Sequence, residues 1–163
     1  MAALTLEYAD KASHSEKSMF LTFQLAGEEY GIDILAVQEI RGFSPLTRLP
    51  NSPKHVTGVL NLRGAIVPLF DLRQMFELPE IEYDQFAAIV VVTIDSRVSG
   101  LIVDRVSEVV DAVASDIQPA PNISGGTISN CVFGILRKEE RLIILLDAHD
   151  LLNRGQPSLA LAA

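Results

Sequence analysis

The chain of 163 residues contains no tryptophan, a single cysteine and only 6% aromatic residues. Since hydrophobic residues still make up 48%, the core has to consist mainly of Val, Ile, Leu and Ala. One cysteine cannot form an intrachain disulfide, and we therefore expect a reducing compartment. Cys131 lies between Asn130 and Val132 with no histidine close in sequence. Its predicted role is buried packing, and the alternative is a catalytic thiol.

Basic residues are scarce as well, because 13 Lys and Arg stand against 21 Asp and Glu, a formal net charge of -8. This charge argues against nucleic acid or an anionic membrane as a partner, since both would repel the protein. The longest apolar run spans residues 86–92, far short of the ~18 residues that a membrane span needs. Charged residues near the N-terminus interrupt any signal peptide. We expect a cytoplasmic protein without direct membrane insertion.

Catalytic constellations are missing from the sequence. His14, His55 and His149 are far apart. A metal site at His149, near Asp147 and Asp150, would need more ligands than one short helix supplies. Other aspartates follow strands at turn or cap positions, where aspartate has a structural role. The sequence therefore predicts no enzyme activity, no cofactor and no metal.

An internal repeat is the main feature that the sequence does contain. Residues 20–40 align without gaps with residues 89–109, at a shift of 69 positions. Residues 58–71 align with residues 134–147, at a shift of 76 positions. The additional residues of the later copy fall within 110–133, a loop rich in proline and glycine. We interpret the two blocks as one structural unit used twice.

Each copy predicts about five strands followed by a short helix. Runs of β-branched residues bounded by Gly, Asp and Ser indicate the strands. Apolar spacing after Asp71 and Asp147 indicates the helices, with these aspartates as N-caps. Short strands in this number favour a small closed barrel, which leaves no exposed sheet edge. The prediction is a mostly β domain over 19–152, with barrel subdomains at about 19–83 and 86–152 that share a groove, and flexible tails at 1–18 and 153–163.

One hairpin distinguishes the two copies. The first copy has Asn-Leu-Arg-Gly-Ala at 61–65, where the second has Arg-Lys-Glu-Glu-Arg at 137–141. The second version is an ordinary solvated charged turn. Arg63 is either a similar surface charge or an arginine that faces a ligand, since arginine forms bidentate contacts and stacks on partner surfaces. Glu39 could pair with Arg63 or with Arg41 as a weak surface ion pair.

Six stretches of sequence together form a specific pattern: Glu29–Ile34, Val37–Gly42, Asn61–Gly64, Pro68–Arg73, Gly100–Asp104 and Ile117–Pro121. In this combination they resemble the signature stretches of the CheW family of chemotaxis adaptors, over about residues 20–152. The resemblance implies two five-stranded SH3-like barrels, in agreement with the repeat. It also implies a binding function without chemistry.

The resemblance further implies two partners. CheW-like proteins bridge the cytoplasmic tips of methyl-accepting chemoreceptors to the regulatory domain of the histidine kinase CheA, in membrane-associated arrays. An alternative within the family is an adaptor of a type IV pilus or another non-flagellar system. The loop 122–131 is rich in Gly and Ser and departs from the family pattern. The pattern assigns receptor binding to Val37, Glu39, Ile40, Leu62 and Arg63, and kinase binding to Gly58, Gln118 and Ile123.

Overall fold

The computed structural model describes residues 17–43, 56–79, 81–120 and 131–155. Most of these residues lie in β-strands. The strands are β1 (Ser18–Leu25), β2 (Glu28–Asp33), β3 (Val37–Gly42), β4 (Val56–Leu62), β5 (Ala65–Asp71), β6 (Ala88–Ile94), β7 (Arg97–Val103), β8 (Arg105–Ala112), β9 (Ile117–Gln118), β10 (Val132–Lys138) and β11 (Arg141–Leu146). The helices are α1 (Leu72–Met75) and α2 (Ala148–Gly155), and the 3-10 turns are η1 (Ile34–Ala36) and η2 (Ala114–Asp116).

The strands form two sheets. The first has the order β8-β1-β2-β11-β10-β9 and is called barrel A, and the second has the order β3-β6-β7-β5-β4 and is called barrel B. Neighbouring strands are antiparallel except for β2 with β11 and β5 with β7, which are parallel. Since β9 has only two residues, each barrel has five principal strands. The predicted fold class, mostly β with two small barrels, is confirmed.

Neither barrel corresponds to one copy of the repeat. Barrel A combines hairpin β1–β2 of the first copy with β8, β10 and β11 of the second. Barrel B combines hairpin β6–β7 of the second copy with β3, β4 and β5 of the first. The two copies have therefore exchanged their first hairpins. As a correction to the predicted subdomains 19–83 and 86–152, the hydrogen-bonded units are 37–103 on one side, and 18–33 together with 105–146 on the other.

The strand registers reproduce the repeat residue by residue. Gly31 lies opposite Leu145 in the parallel pair of β2 and β11, and Gly100 lies opposite Leu69 in the pair of β7 and β5. A Cβ atom on Gly100 would lie 2.3 Å from Cδ2 of Leu69, and one on Gly31 would lie 3.1 Å from Cδ2 of Leu145. At both places where an exchanged hairpin joins its new barrel, a side chain larger than that of glycine would therefore have to displace a leucine side chain of the neighbouring strand.

Three clusters of buried apolar side chains stabilise this arrangement. Among the described residues, the interiors of barrels A and B each contain six buried residues. The cluster between the barrels contains twenty, drawn from both barrels and both helices. Cys131 belongs to this central core and is 1% exposed, so its predicted packing role is confirmed. Because the central core is much larger than either interior, the barrels depend on each other for most of their hydrophobic stabilisation.

Both helices begin where the sequence predicts. Oδ1 of Asp71 accepts a hydrogen bond from the backbone amide of Arg73, and Oδ1 of Asp147 accepts one from that of His149. Helix α2 continues to Gly155, three residues into the segment predicted as a tail, and residues 1–16 lie outside the described residues. Neither described helix has the length or the apolar character for crossing a membrane.

A buried ion pair connects α1 to the crossing between β7 and β8. Nε and Nη2 of Arg73 donate to the two carboxylate oxygens of Asp104 at 2.7 and 2.6 Å, and Nη1 donates to the carbonyl oxygen of Pro79 at 2.6 Å. Burial would raise the pKa of Asp104, but hydrogen bonds from Arg73 and from the Ala26 amide outweigh it and lower that pKa. At the equivalent place on α2, Nε2 of His149 lies 2.9 Å from Oδ2 of Asp95 in a more exposed pair.

Replacing Arg73 by alanine should lower the free energy of unfolding by about 3 kcal/mol, because Asp104 is left largely buried without its partner. His149→Ala removes the exposed equivalent and should cost less than about 1 kcal/mol. Urea unfolding at pH 7 measures both. Equal losses of unfolding free energy in Arg73→Ala and His149→Ala would contradict the assignment of Arg73 to a more buried and more stabilising ion pair than that of His149.

The stabilisation by the Arg73–Asp104 pair should depend on pH. The folded-state pKa of Asp104 lies below its ordinary value of 3.8, so this stabilisation is complete above that value and is lost as the pH falls through the folded-state pKa.

Candidate functional site

The predicted receptor-binding residues come from two strands that are far apart in the sheet. Strands β3 and β4 are the first and last in the order of barrel B. Nη1 of Arg63, in the turn after β4, lies 2.9 Å from Oε1 of Glu39 on β3. This ion pair links the turn after β4 to β3, so the site depends on the curvature of the sheet that brings these two elements within reach of each other.

The turn between β4 and β5 presents Arg63 to solvent. Arg63 and Gly64 have φ angles of 50° and 89°, the left-handed conformation that two-residue hairpin turns require. Oδ1 of Asn61 accepts a hydrogen bond of 2.9 Å from the amide of Gly64 and fixes the turn. The Arg63 side chain is 70% exposed despite its ion pair. The turn therefore holds a largely solvated guanidinium in a defined position.

Glu39 lies between two arginines. Its second carboxylate oxygen is 3.7 Å from Nη1 of Arg41, so the predicted pairing with Arg63 or Arg41 is confirmed for both. The Glu39 side chain is only 22% exposed, whereas Arg63 extends into solvent. The cluster of Glu39, Arg41 and Arg63 thus carries one net positive charge, with its carboxylate on the inner side.

The apolar members of the predicted site differ in accessibility. Ile40 is 46% exposed and can contact a partner directly. Val37 is partly buried and packs against the central core. Leu62 is 5% exposed and belongs to the interior of barrel B, so it supports the Arg63 turn from inside. The accessible part of the site consists of Ile40, Arg63 and the edge of Glu39.

The corresponding end of barrel A contains a similar but more constrained arginine. Nη1 of Arg141 lies 3.1 Å from Oε1 of Glu108 on β8, the position equivalent to Glu39, and Nη2 pairs with Glu29 on β2. The pKa of Arg141 is raised by these hydrogen bonds, that of Glu29 first. Its side chain is half as exposed as that of Arg63. Arg63 and Arg141 do not occupy equivalent positions, since Arg63 aligns with Glu139 in the repeat, and Arg63 is the one with donors left for a partner.

The predicted kinase-binding residues lie on other strands. Gly58 is buried on β4, where the register of β4 against β5 shifts. Gln118 is exposed on β9 and pairs with Ile135 of β10. Ile123 lies outside the described residues. Gly58 and Gln118 belong to different barrels, so the prediction involves residues of both.

Sequence reasoning missed Leu35, which has the largest exposure, 83%, among the large hydrophobic residues of the described chain. It lies in η1, where the first copy passes from barrel A to barrel B. The available signal was the repeat itself, because Leu35 aligns with Asp104, a charged residue with a buried partner.

A family model described as CheW-like domain matches residues 19–156 of the chain. The chain belongs to the CheW family. It is 43% identical over 140 residues to the chemotaxis protein CheW of Klebsiella aerogenes, in an alignment that covers 86% of this chain and 84% of that protein. It is 32% identical over 155 residues to the probable chemotaxis protein CheW of Rhizobium etli, covering 95% of this chain and all of that protein.

A solved structure agrees with this assignment. The crystal structure of the scaffolding protein TtCheW from Thermoanaerobacter tengcongensis superimposes with a TM-score of 0.73 at 32% identity, over 79% of this chain and 88% of that one. CheW proteins are chemotaxis scaffolds rather than enzymes.

Stability measurements should separate the two neighbouring residues of the site. Leu62→Ala should lower the free energy of unfolding by about 2–4 kcal/mol, because it leaves a cavity in the interior of barrel B. Arg63→Ala should change it by less than about 1 kcal/mol, because an exposed ion pair contributes little. Thermal or urea unfolding of both variants measures the difference. A loss for Arg63→Ala as large as that for Leu62→Ala would contradict the division into supporting and contacting residues.

Proposed function

We propose that this chemotaxis adaptor couples the tips of methyl-accepting chemoreceptors to the regulatory domain of a CheA-type histidine kinase. The observation that carries the proposal is the solvated Arg63, held by Glu39 on the strand that also carries the exposed Ile40, in a member of the CheW family. Membership of the family supports both partners. The receptors would recruit the protein from the cytoplasm to membrane-associated arrays.

For the receptor, the proposed mode is a helix lying in a groove. A receptor tip is a helical hairpin, and such helices bind through apolar residues on one face. Ile40 and the edge of Val37 provide apolar contact, while Arg63 provides donors for an acidic or amide side chain of the helix. Leu62 holds the turn in place from the barrel interior. Affinity would come mainly from the apolar contact, and orientation from the arginine.

For the kinase, the proposed contacts are Gly58, Gln118 and Ile123. Gly58 lies five residues before Arg63 along β4 and its turn, a separation of about 17 Å along an extended strand. Gln118 lies on the other barrel. Separate positions are what an adaptor needs, because it must hold both partners at once.

Arg63→Ala should weaken binding to a soluble chemoreceptor-tip fragment by about tenfold or more, because a hydrogen bond to a charged group is lost. Arg137→Ala is the matched control, since it removes an exposed arginine from the other barrel, and it should leave the affinity unchanged. Isothermal titration calorimetry provides the measurement. If both variants bound as tightly as the wild type, the assignment of the receptor surface to this site would be wrong.

Gln118→Arg should weaken binding to an isolated CheA regulatory domain by about tenfold and leave receptor-fragment binding unchanged, because a long charged side chain is introduced at an exposed position on β9. Arg63→Ala is the reciprocal control and should bind the kinase domain normally. Titration of each variant with each partner gives four affinities. Wild-type protein that bound neither partner would refute the coupling role, and joint loss in either variant would refute the separation of the surfaces.

A further inference from the structure

We propose that Leu35 is a further receptor-contact residue, which extends the site of Ile40 and Arg63 to the crossing between the barrels. The inference rests on the proposed function, because its partner is the same receptor helix. Its basis is an apolar side chain that is 83% exposed on a segment that the fold holds rigidly. A single exposed leucine is ordinary on a protein surface, so its support and its surroundings carry the inference.

The backbone at Leu35 is well anchored. Oδ1 of Asp33 accepts a hydrogen bond of 2.9 Å from the Leu35 amide. The neighbours Ile34, Ala36 and Val37 pack against the central core. Leu35 is thus the outward residue of a turn whose other members face inward. A side chain on a fixed backbone loses less conformational entropy on binding than one on a mobile loop.

The equivalent crossing in the other half of the molecule is closed. Leu35 aligns with Asp104, and the carboxylate of Asp104 is taken up by Arg73 and by the Ala26 amide. Arg73 also binds the carbonyl oxygen of Pro79. One crossing of the repeat is therefore fixed by a charged network, whereas the other presents an exposed leucine.

The segment that follows α1 covers the closed crossing. The guanidinium carbon of Arg105 lies 4.4 Å from the centre of the Phe86 ring. The hydroxyl of Tyr83 donates a hydrogen bond of 2.6 Å to Asp71, and its ring centre lies 5.0 Å from that of Phe43. The chain itself thus packs aromatic residues around this crossing. At the other crossing Leu35 is largely exposed, so an apolar surface of a partner can pack there.

Leu35 is continuous with the proposed receptor site. It precedes Val37 by two residues, so their Cα atoms are at most about 7.6 Å apart, and it precedes Glu39 by four. Leu35 and Ile40 are five residues apart, at most about 17 Å along an extended chain, and a helix that rises about 5.4 Å per turn spans this distance in about three turns. The fitting partner is an amphipathic receptor helix whose apolar residues recur at three- and four-residue spacing.

Leu35→Ser should weaken binding to a soluble chemoreceptor-tip fragment by about tenfold, without a change in melting temperature. Leu142→Ser is the matched control, because Leu142 is 61% exposed on barrel A and is not part of the site, and it should bind as the wild type does. Leu35→Met should restore most of the affinity, since it keeps apolar contact area. Rescue by methionine distinguishes contact from a structural role of the turn.

The outcomes separate this inference from the proposed function. If Arg63→Ala weakened receptor binding while Leu35→Ser bound within twofold of the wild type, the inference about Leu35 would be overturned and the proposed function would stand. A wild-type protein that did not bind the receptor fragment would overturn both. Weaker binding by Leu142→Ser to the same extent as by Leu35→Ser would also overturn the inference, because the effect would then not be specific to the crossing.

Discussion

The structure depends on the central core between the two barrels. Of the described residues, six buried apolar side chains lie inside each barrel, whereas twenty lie between the barrels. A five-stranded barrel of this size, without tryptophan and with few aromatic residues, has too small an interior to be stable alone. The exchange of hairpins also makes each barrel depend on the other, because each barrel contains strands of both copies of the repeat. The two barrels therefore have to fold as one unit.

The exchange of hairpins also creates two crossings of the chain between the barrels. These crossings occupy equivalent positions in the repeat but differ in their side chains, so they can differ in binding. The chain crosses from one barrel to the other at η1 and again between β7 and β8. At the second crossing Asp104 and Arg73 form a buried, bidentate ion pair. At the first crossing no such charge is present on Leu35, and β3 continues directly to Glu39 and Ile40. The surface proposed for the receptor thus lies in the half of the pseudo-symmetric structure whose crossing presents an exposed leucine in place of this ion pair.

Each barrel has an ion pair between an arginine and a glutamate, and the two arginines differ in how much of the side chain remains exposed. In both barrels an arginine from a hairpin turn or the strand after it pairs with a glutamate on the opposite outer strand. Arg141 is bound by two glutamates, so it mainly closes barrel A. Arg63 has one close carboxylate partner and remains largely exposed, so it can close barrel B and still contact a partner. The difference follows from position, because Arg63 lies in the turn itself, in the left-handed conformation, whereas Arg141 lies on β11 and pairs with glutamates of β2 and β8.

The sequence alone determined the elements and their equivalence: strand runs, the aspartate caps of both helices, the repeat, and the distinctive turn at Arg63. These follow from local propensity and periodicity, which act over a few residues. Only the tertiary structure decided which copy each hairpin joins, because alignment identifies equivalent residues but not the strands with which they form hydrogen bonds. It also decided that Leu62 is buried while its neighbour Arg63 is exposed, and that Leu35 is solvated while Asp104 is paired. Those outcomes depend on contacts between residues distant in sequence, which no local pattern records.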